Sequence, residues 1–155
     1  MNSLATAPAP ILPAPPGFEE RIAIANKLAA AAKQAFCPIL LAHGIATVVI
    51  SYDGAGDDGQ ISEVSGFSAD NTDIPIPAVS CQRHQTDFHG NVTIDESNLD
   101  DALQAFAEEA LATFHRGWED GDGACGEIKI DTATQSATLE HNIRVMDFEH
   151  SARDI

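Results

Sequence analysis

A chain of 155 residues, 44% of them hydrophobic, is long enough to bury one core and too apolar for an acidic disordered protein. Its 24 Asp and Glu residues outnumber its 8 Lys and Arg residues, and the formal net charge is −16. Such a surface repels nucleic acid and anionic membranes, so we expect no direct binding to either, and it favours a basic protein partner or bound cations.

The cysteines and the apolar runs bear on the compartment. Cys37, Cys81 and Cys125 are odd in number and widely spaced, which argues against a disulfide framework and favours a reducing environment. No apolar run approaches the ~20 residues that span a bilayer, and the N-terminus lacks a basic region followed by an uninterrupted apolar core. The sequence therefore predicts a cytoplasmic protein.

Composition divides the chain into a domain and two tails. Residues 1–17 contain five prolines and are predicted to form a disordered Ala/Pro-rich tail. Residues 18–148 are predicted to form a single acidic α+β domain, and residues 149–155 a polar C-terminal tail.

The domain is predicted to begin with a helix. The alanine-rich run from Phe18 to Phe36 has high helix propensity and places apolar residues on one stripe. Pro38 is expected either to kink this helix or to begin a short second one. The His43-Gly44 pair is a plausible C-terminal stop.

Two strands and a long loop are predicted next. IATVVISYD and QISEVSGF, joined by the turn-forming letters GAGDDG, are typical of a hairpin. Residues 70–97 contain Pro75 and Pro77 and show little periodicity. They are predicted to form a long loop with an edge strand near residues 91–94.

The C-terminal half repeats this order. Asn98 is predicted to cap a second helix whose apolar spacing runs to Phe114 and which stops at Gly117. EIKID and ATLEHNIRV then alternate around a TATQS turn, which indicates a second hairpin. The order αββαββ predicts an α+β fold in which two helices pack on one face of an antiparallel four-stranded sheet.

Two segments rich in Gly and Asp carry the site hypothesis. The first Gly/Asp segment spans residues 52–59 and the second spans residues 117–123. A simple up-and-down chain path brings both to the same end of the sheet, where their like charges would need a counterion or a basic partner. The candidate binding residues are Asp53, Asp57, Asp58, Trp118, Glu119, Asp120 and Asp122.

A divalent cation is one possible counterion. Ca²⁺ and Mg²⁺ prefer several oxygen ligands, and glycine lets backbone carbonyls approach the ion. The predicted metal ligands are Asp53, Asp57, Glu119 and Asp122. An EF-hand starting at Asp53 is excluded, because Ala55 and Val64 occupy ligand positions of that loop and Asp58 stands in place of its glycine. The alternative is that Asp and Gly simply suit tight turns.

Another group of residues could ligate zinc. Cys81, His84, Asp87 and His89 lie close together in the predicted loop, and Cys125 could complete a site. Their spacing matches neither a zinc finger nor a zinc ribbon, so an ordinary polar loop is the alternative.

The strings YDGAGDDGQI and GWEDGDGACGEIKID resemble an uncharacterised bacterial protein family carried by plasmids and other mobile elements, with the patterns YDGxGDxGQ and GWExxxGxxGE. The resemblance covers roughly residues 20–145 and implies no catalytic residues. Asp58 stands where the family pattern has a small polar residue. A mobile-element origin implies a role in host interaction or anti-defence. The resemblance marks these positions for testing: Asp53, Gly54, Gly56, Asp57, Gly59, Trp118, Glu119, Gly123 and Gly126.

Three functions therefore remain open. The first is a non-enzymatic acidic protein that engages a basic host protein, including a nucleic-acid-binding one, as an inhibitor that imitates nucleic-acid charge. The second is a Ca²⁺- or Mg²⁺-binding protein or metal-dependent hydrolase that uses the two Gly/Asp segments; no other cofactor is expected. The third is a small structural or regulatory oligomerisation module, with the oligomeric state left open.

Overall fold

A computed structural model describes residues 17–55, 58–87, 89–115 and 123–143. The predicted N-terminal tail except Gly17, the whole predicted C-terminal tail at residues 149–155, and residues 144–148 of the predicted domain lie outside them. The elements in chain order are α1 (Phe18–Ala42), β1 (Thr47–Ala55), β2 (Asp58–Phe67), β3 (Asp73–Ile74), β4 (Ser80–Thr86), β5 (Val92–Asn98), α2 (Leu99–Phe114), β6 (Ala124–Asp131) and β7 (Ser136–Ile143). None of the described helices is both long and apolar enough to cross a membrane.

The strands form a five-stranded main sheet and a separate hairpin. The main sheet has the order β3-β2-β1-β6-β7 with every neighbouring pair antiparallel, and β4 pairs only with β5. The α+β class, both predicted hairpins and the antiparallel pairing are confirmed. The four-stranded sheet with the order αββαββ is wrong, because β3, β4 and β5 intervene between β2 and α2.

The predicted long loop at residues 70–97 is also wrong, since it contains β3 and the β4–β5 hairpin, although the strand predicted near residues 91–94 is found as part of β5. The side chains of β5 are exposed except for half-buried Ser97, and β4 buries only Cys81 and His84. Strands with so few buried positions show no clear alternation of apolar and polar residues. Packing of β4 against both helices stabilises them instead.

The start of α2 and the end of α1 lie at residues that the sequence indicated, whereas the stop predicted for α2 at Gly117 lies outside the described residues. The Asn98 Oδ1 atom accepts a hydrogen bond from the Asp101 N–H at 2.8 Å, which confirms the cap of α2. At the end of α1 the His43 N–H donates to Ile39 O, and Gly44 has a φ of +77°. Helix α1 continues through Pro38 to Ala42, so the alternative of a second short helix is wrong.

The core lies between the helices and one face of the main sheet, which we call the inner face. Val48 and Ile50 of β1 pair with Ile130 and Ile128 of β6, and all four side chains are buried. They pack in one cluster with both helices, where the rings of Phe36 and Phe106 meet edge to face at 5.3 Å. The predicted packing of both helices against one face is therefore seen, and the opposite, outer face carries the polar residues.

Candidate functional site

The described residues that border the two Gly/Asp segments meet at one end of the main sheet. Gly54 near the end of β1 pairs with Ala124 at the start of β6, and Ala55 pairs with Asp58 at the start of β2. The first segment therefore begins and ends, and the second segment ends, at the same end of the sheet, which agrees with the predicted up-and-down path.

Most of the predicted site residues cannot be located at this edge. Asp53 is exposed on β1 and Asp58 begins β2. The other candidates, Asp57, Trp118, Glu119, Asp120 and Asp122, lie outside the described residues. A joint binding site, and a Ca²⁺ or Mg²⁺ ion held by Asp53, Asp57, Glu119 and Asp122, therefore stay predictions.

The outer face of the main sheet is acidic. Glu140 of β7 lies directly opposite Glu127 of β6. On the other side of β6, Glu127 lies opposite Ser51 of β1. Ser51 in turn lies opposite Glu63 of β2. We call this line of three glutamates across four strands the acidic row. Glu63 and Glu140 are exposed and Glu127 is half-buried.

Other charges flank the acidic row. The alternation of the strands places Asp53, next to the first Gly/Asp segment, and Asp131, at the opposite end, on the outer face as well. Lys129 is the one basic side chain that the described strands place on this face. Asp73 of β3, which pairs with Phe67, lies on this face too. Six carboxylates therefore share the outer face with one ammonium group, and this local excess matches the charge of the whole chain.

On the inner face, at the end that borders the Gly/Asp segments, Tyr52 contacts His141. The phenol of Tyr52 is 2% exposed, and its oxygen lies 2.6 Å from His141 Nδ1 and 3.2 Å from the carbonyl oxygen of Glu140. A phenol has only one hydrogen to donate. Both contacts are hydrogen bonds only when Nδ1 of His141 carries a proton and donates it to Tyr52, while Tyr52 donates to Glu140 O.

Gly126 makes room for this contact. A Cβ atom at position 126 would lie 2.0 Å from Glu140 O and 2.5 Å from the Tyr52 hydroxyl oxygen. Neither group can move away without losing the hydrogen bond between them, so only glycine fits. Burial, and then the Cys125 thiol, raise the pKa of Tyr52 to about 12, so the phenol stays protonated at neutral pH.

His115 completes the cluster from the end of α2. Its ring stacks on the ring of His141 with 3.6 Å between centroids and 13° between planes. Burial, and then the neighbouring His115, lower the pKa of His141. The cluster thus holds a neutral imidazole beside a protonated phenol, which suits a structural hydrogen-bond network. The Cys125 thiol does not contact the His141 ring, because the strand alternation places the two side chains on opposite faces of the sheet.

The zinc hypothesis is wrong for the residues on which it rested. Asp87 accepts hydrogen bonds from the N–H groups of His89 and Asn91 at the tip of the β4–β5 hairpin, while Cys81 and His84 are buried in β4. Throughout the described residues, no three His, Cys, Asp or Glu side chains come together as metal ligands would.

Sequence reasoning missed the Tyr52 cluster. Tyr52 and His141 follow the inward alternation of Ile50 and Leu139, which is visible in the sequence. Their contact, however, depends on the β1–β6–β7 register, because Gly126 is the residue between them. The resemblance to a family had marked Gly126, without giving a reason for it.

Comparison with known proteins places the chain in a family. A family model described as a family of unknown function, DUF6878, matches residues 28–155. No curated protein and no solved structure matches the chain. The matched range includes every described strand and α2, together with most of α1. Because the model covers more than half of the sequence, the chain belongs to the DUF6878 family.

Proposed function

We propose that this protein is a non-enzymatic binding protein whose outer sheet face engages a basic surface on a partner protein. The observation that supports the proposal is the acidic row, in which Glu140, Glu127 and Glu63 lie on three of four neighbouring strands. It lies on the face opposite the core, where its carboxylates can meet a partner without disturbing the packing.

The acidic row is unfavourable for folding taken alone. Like charges directly opposite each other on neighbouring strands destabilise a sheet, and Glu127 and Glu140 are such a pair. Lys129 lies two residue pairs along the strands and is opposite Thr138, so register gives neither glutamate an opposing base. A basic partner would relieve the repulsion, and complementary charge would also speed the encounter.

The chemistry of the partner follows from the charge of the face. Proteins that bind nucleic acid present clusters of Lys and Arg to phosphates. An array of carboxylates can occupy such a cluster in place of the phosphates. The resemblance to plasmid-borne proteins favours a host nucleic-acid-binding protein as the target, and inhibition or anti-defence as the outcome.

Charge reversal with a matched control tests the proposal. The first variant combines Glu63→Lys, Glu127→Lys and Glu140→Lys. The control combines Glu19→Lys, Glu20→Lys and Glu96→Lys, which are exposed acids on α1 and β5. Each Glu→Lys change adds two positive charges, so both variants have −16 + 6 = −10 as their formal net charge.

The assay is capture of basic proteins from a bacterial lysate, followed by competition with duplex DNA for the captured protein. We expect the outer-face variant to lose the captured protein and the control to retain it, and we expect DNA to displace it. Equal loss in both variants would show a nonspecific charge effect. Equal retention would show that another surface binds, and either result contradicts the proposal.

A further inference from the structure

A cavity of about 250 Å³ lies between α1, α2 and the inner face of the main sheet. It is distinct from the outer face, so its function does not depend on the proposal above. Its walls are mostly apolar and include several alanines, whose short side chains leave the space open. The apolar lining includes Ala29 and Ala32 of α1, Phe106 and Ala110 of α2, Ile128 of β6 and Leu139 of β7.

His84 of β4 also lines the cavity, and one of its ring nitrogens has no hydrogen-bond partner among the described residues. Its side chain is 5% exposed, and its Nδ1 atom bonds to no group in the described residues. A buried polar atom without a partner costs stability, and native proteins contain few of them. A ligand atom placed beside the imidazole can supply the partner that the protein does not.

The charges around the cavity favour an uncharged ligand. Lys33 and Glu109 line the cavity with opposite charges, so the lining has no net charge. The Glu109 carboxylate already accepts hydrogen bonds from the N–H and the hydroxyl of Thr86, at 2.6 Å and 2.9 Å. The net charge of −16 on the chain further disfavours an anion.

The cavity has an entrance and a suitable size. Phe114 lines the cavity and is 50% exposed, so the cavity meets solvent beside its ring. An apolar cavity of roughly 150 Å³ holds benzene. The larger cavity here therefore admits a single substituted aromatic ring, and a mainly apolar pocket with one polar group is typical of small-molecule sites.

We propose that this cavity is a binding site for a small uncharged aromatic molecule that carries one hydroxyl or ring N–H group. The ring packs between α1 and α2 against the inner face of the sheet, and the polar group forms a hydrogen bond with His84. The site takes a ligand class different from the basic protein that the outer face would bind.

Binding of phenol, measured by calorimetry on the full chain, tests this proposal, with benzene as the matched ligand that lacks the hydroxyl. We expect wild type to bind phenol about tenfold more tightly than benzene, because only phenol gives the imidazole a partner. His84→Leu should bring the two affinities close together. Benzoate should bind more weakly than phenol, because the lining has no excess positive charge.

Two alanine-to-leucine variants test whether the ligand binds in the cavity or elsewhere on α1. Ala29→Leu places a larger side chain in the cavity and should abolish binding of both ligands, with the folded circular dichroism spectrum retained. Ala30→Leu makes the same change at an exposed neighbouring position and should bind as wild type does. The proposal is overturned by any of three results: no phenol binding to wild type, unchanged binding in Ala29→Leu, or equal binding of phenol and benzene to wild type.

Discussion

At the scale of single residues, Tyr52, Gly126 and His141 depend on one another. Tyr52 reaches across β6 to His141 on β7 only because position 126, between them, has no side chain. The strand register and one glycine thus create a buried tyrosine–histidine contact from residues far apart in the sequence. The contact fixes the ring of His141 and determines which of its nitrogens carries the proton.

This contact makes stability depend on pH. The pKa of His141 is lowered in the folded state, so the unfolded state binds its proton more readily. The stabilisation from the neutral ring is complete above the unfolded pKa of about 6.5 and is lost as the pH falls through the folded pKa. Between about pH 7.5 and pH 5, the free energy of unfolding should therefore decrease with acidification.

Urea denaturation of wild type and of His141→Gln across this range checks the prediction. The variant has no titrating ring at position 141, so its free energy of unfolding should fall less steeply than that of wild type. Identical slopes in the two proteins would contradict the assigned role of His141.

At the scale of elements, the β4–β5 hairpin packs against both helices, mainly through β4. Glu109 of α2 accepts hydrogen bonds from the N–H and hydroxyl of Thr86 at the end of β4. Within the hairpin, Arg83 lies opposite Asp95, and their exposed side chains form an ion pair at 2.5 Å. Exposed ion pairs of this kind contribute little to stability. The hydrogen bonds to Glu109 are therefore more important for holding the hairpin against α2.

Removing the carboxylate of Glu109 should therefore release the end of the hairpin. In Glu109→Ala we expect the amide of Thr86 to exchange with solvent deuterium about tenfold faster or more, because a charge-assisted hydrogen bond of roughly 1.5–3 kcal/mol is lost. The amides in the centre of β1 should keep their protection. As a control, Glu108→Ala removes the same charge from the preceding residue of α2, whose side chain is exposed. It should leave the amide of Thr86 protected from exchange. Equal exchange in both variants would refute the role of Glu109.

At the scale of the whole molecule, the net charge of −16 opposes folding through self-repulsion. The described outer face contributes to this repulsion with six carboxylates against Lys129. Salt screens exposed charges that lie farther apart than the Debye length, which is about 10 Å at 0.1 M ionic strength. The stability of the chain should therefore depend strongly on ionic strength.

We expect the melting temperature to rise with added NaCl, and to rise equally with CaCl₂ or MgCl₂ at the same ionic strength. Thermal melts with each salt, and with a chelator, make the comparison. A further rise with Ca²⁺ or Mg²⁺, lost in Asp53→Asn, would contradict simple screening. It would identify a cation bound by the Gly/Asp segments, because a ligand of the folded state alone stabilises that state.

The sequence by itself determined those elements whose signals are local. The cap at Asn98, the glycine stop at Gly44 and the alternation in β1, β2, β6 and β7 are properties of neighbouring residues. Helix and strand periods appear directly in such patterns. The α+β class, and the position of the residues bordering the two Gly/Asp segments at one end of the sheet, followed from the order of these elements.

Only the tertiary structure decided the rest. The β4–β5 hairpin is polar and exposed, so its strands form through contacts with distant helices and not through a pattern of their own. The acidic row, the Tyr52–His141 contact and the cavity beside His84 each combine residues from strands or helices far apart in the chain. Strand order and register bring such residues together, and a one-residue slip of register would reverse every face.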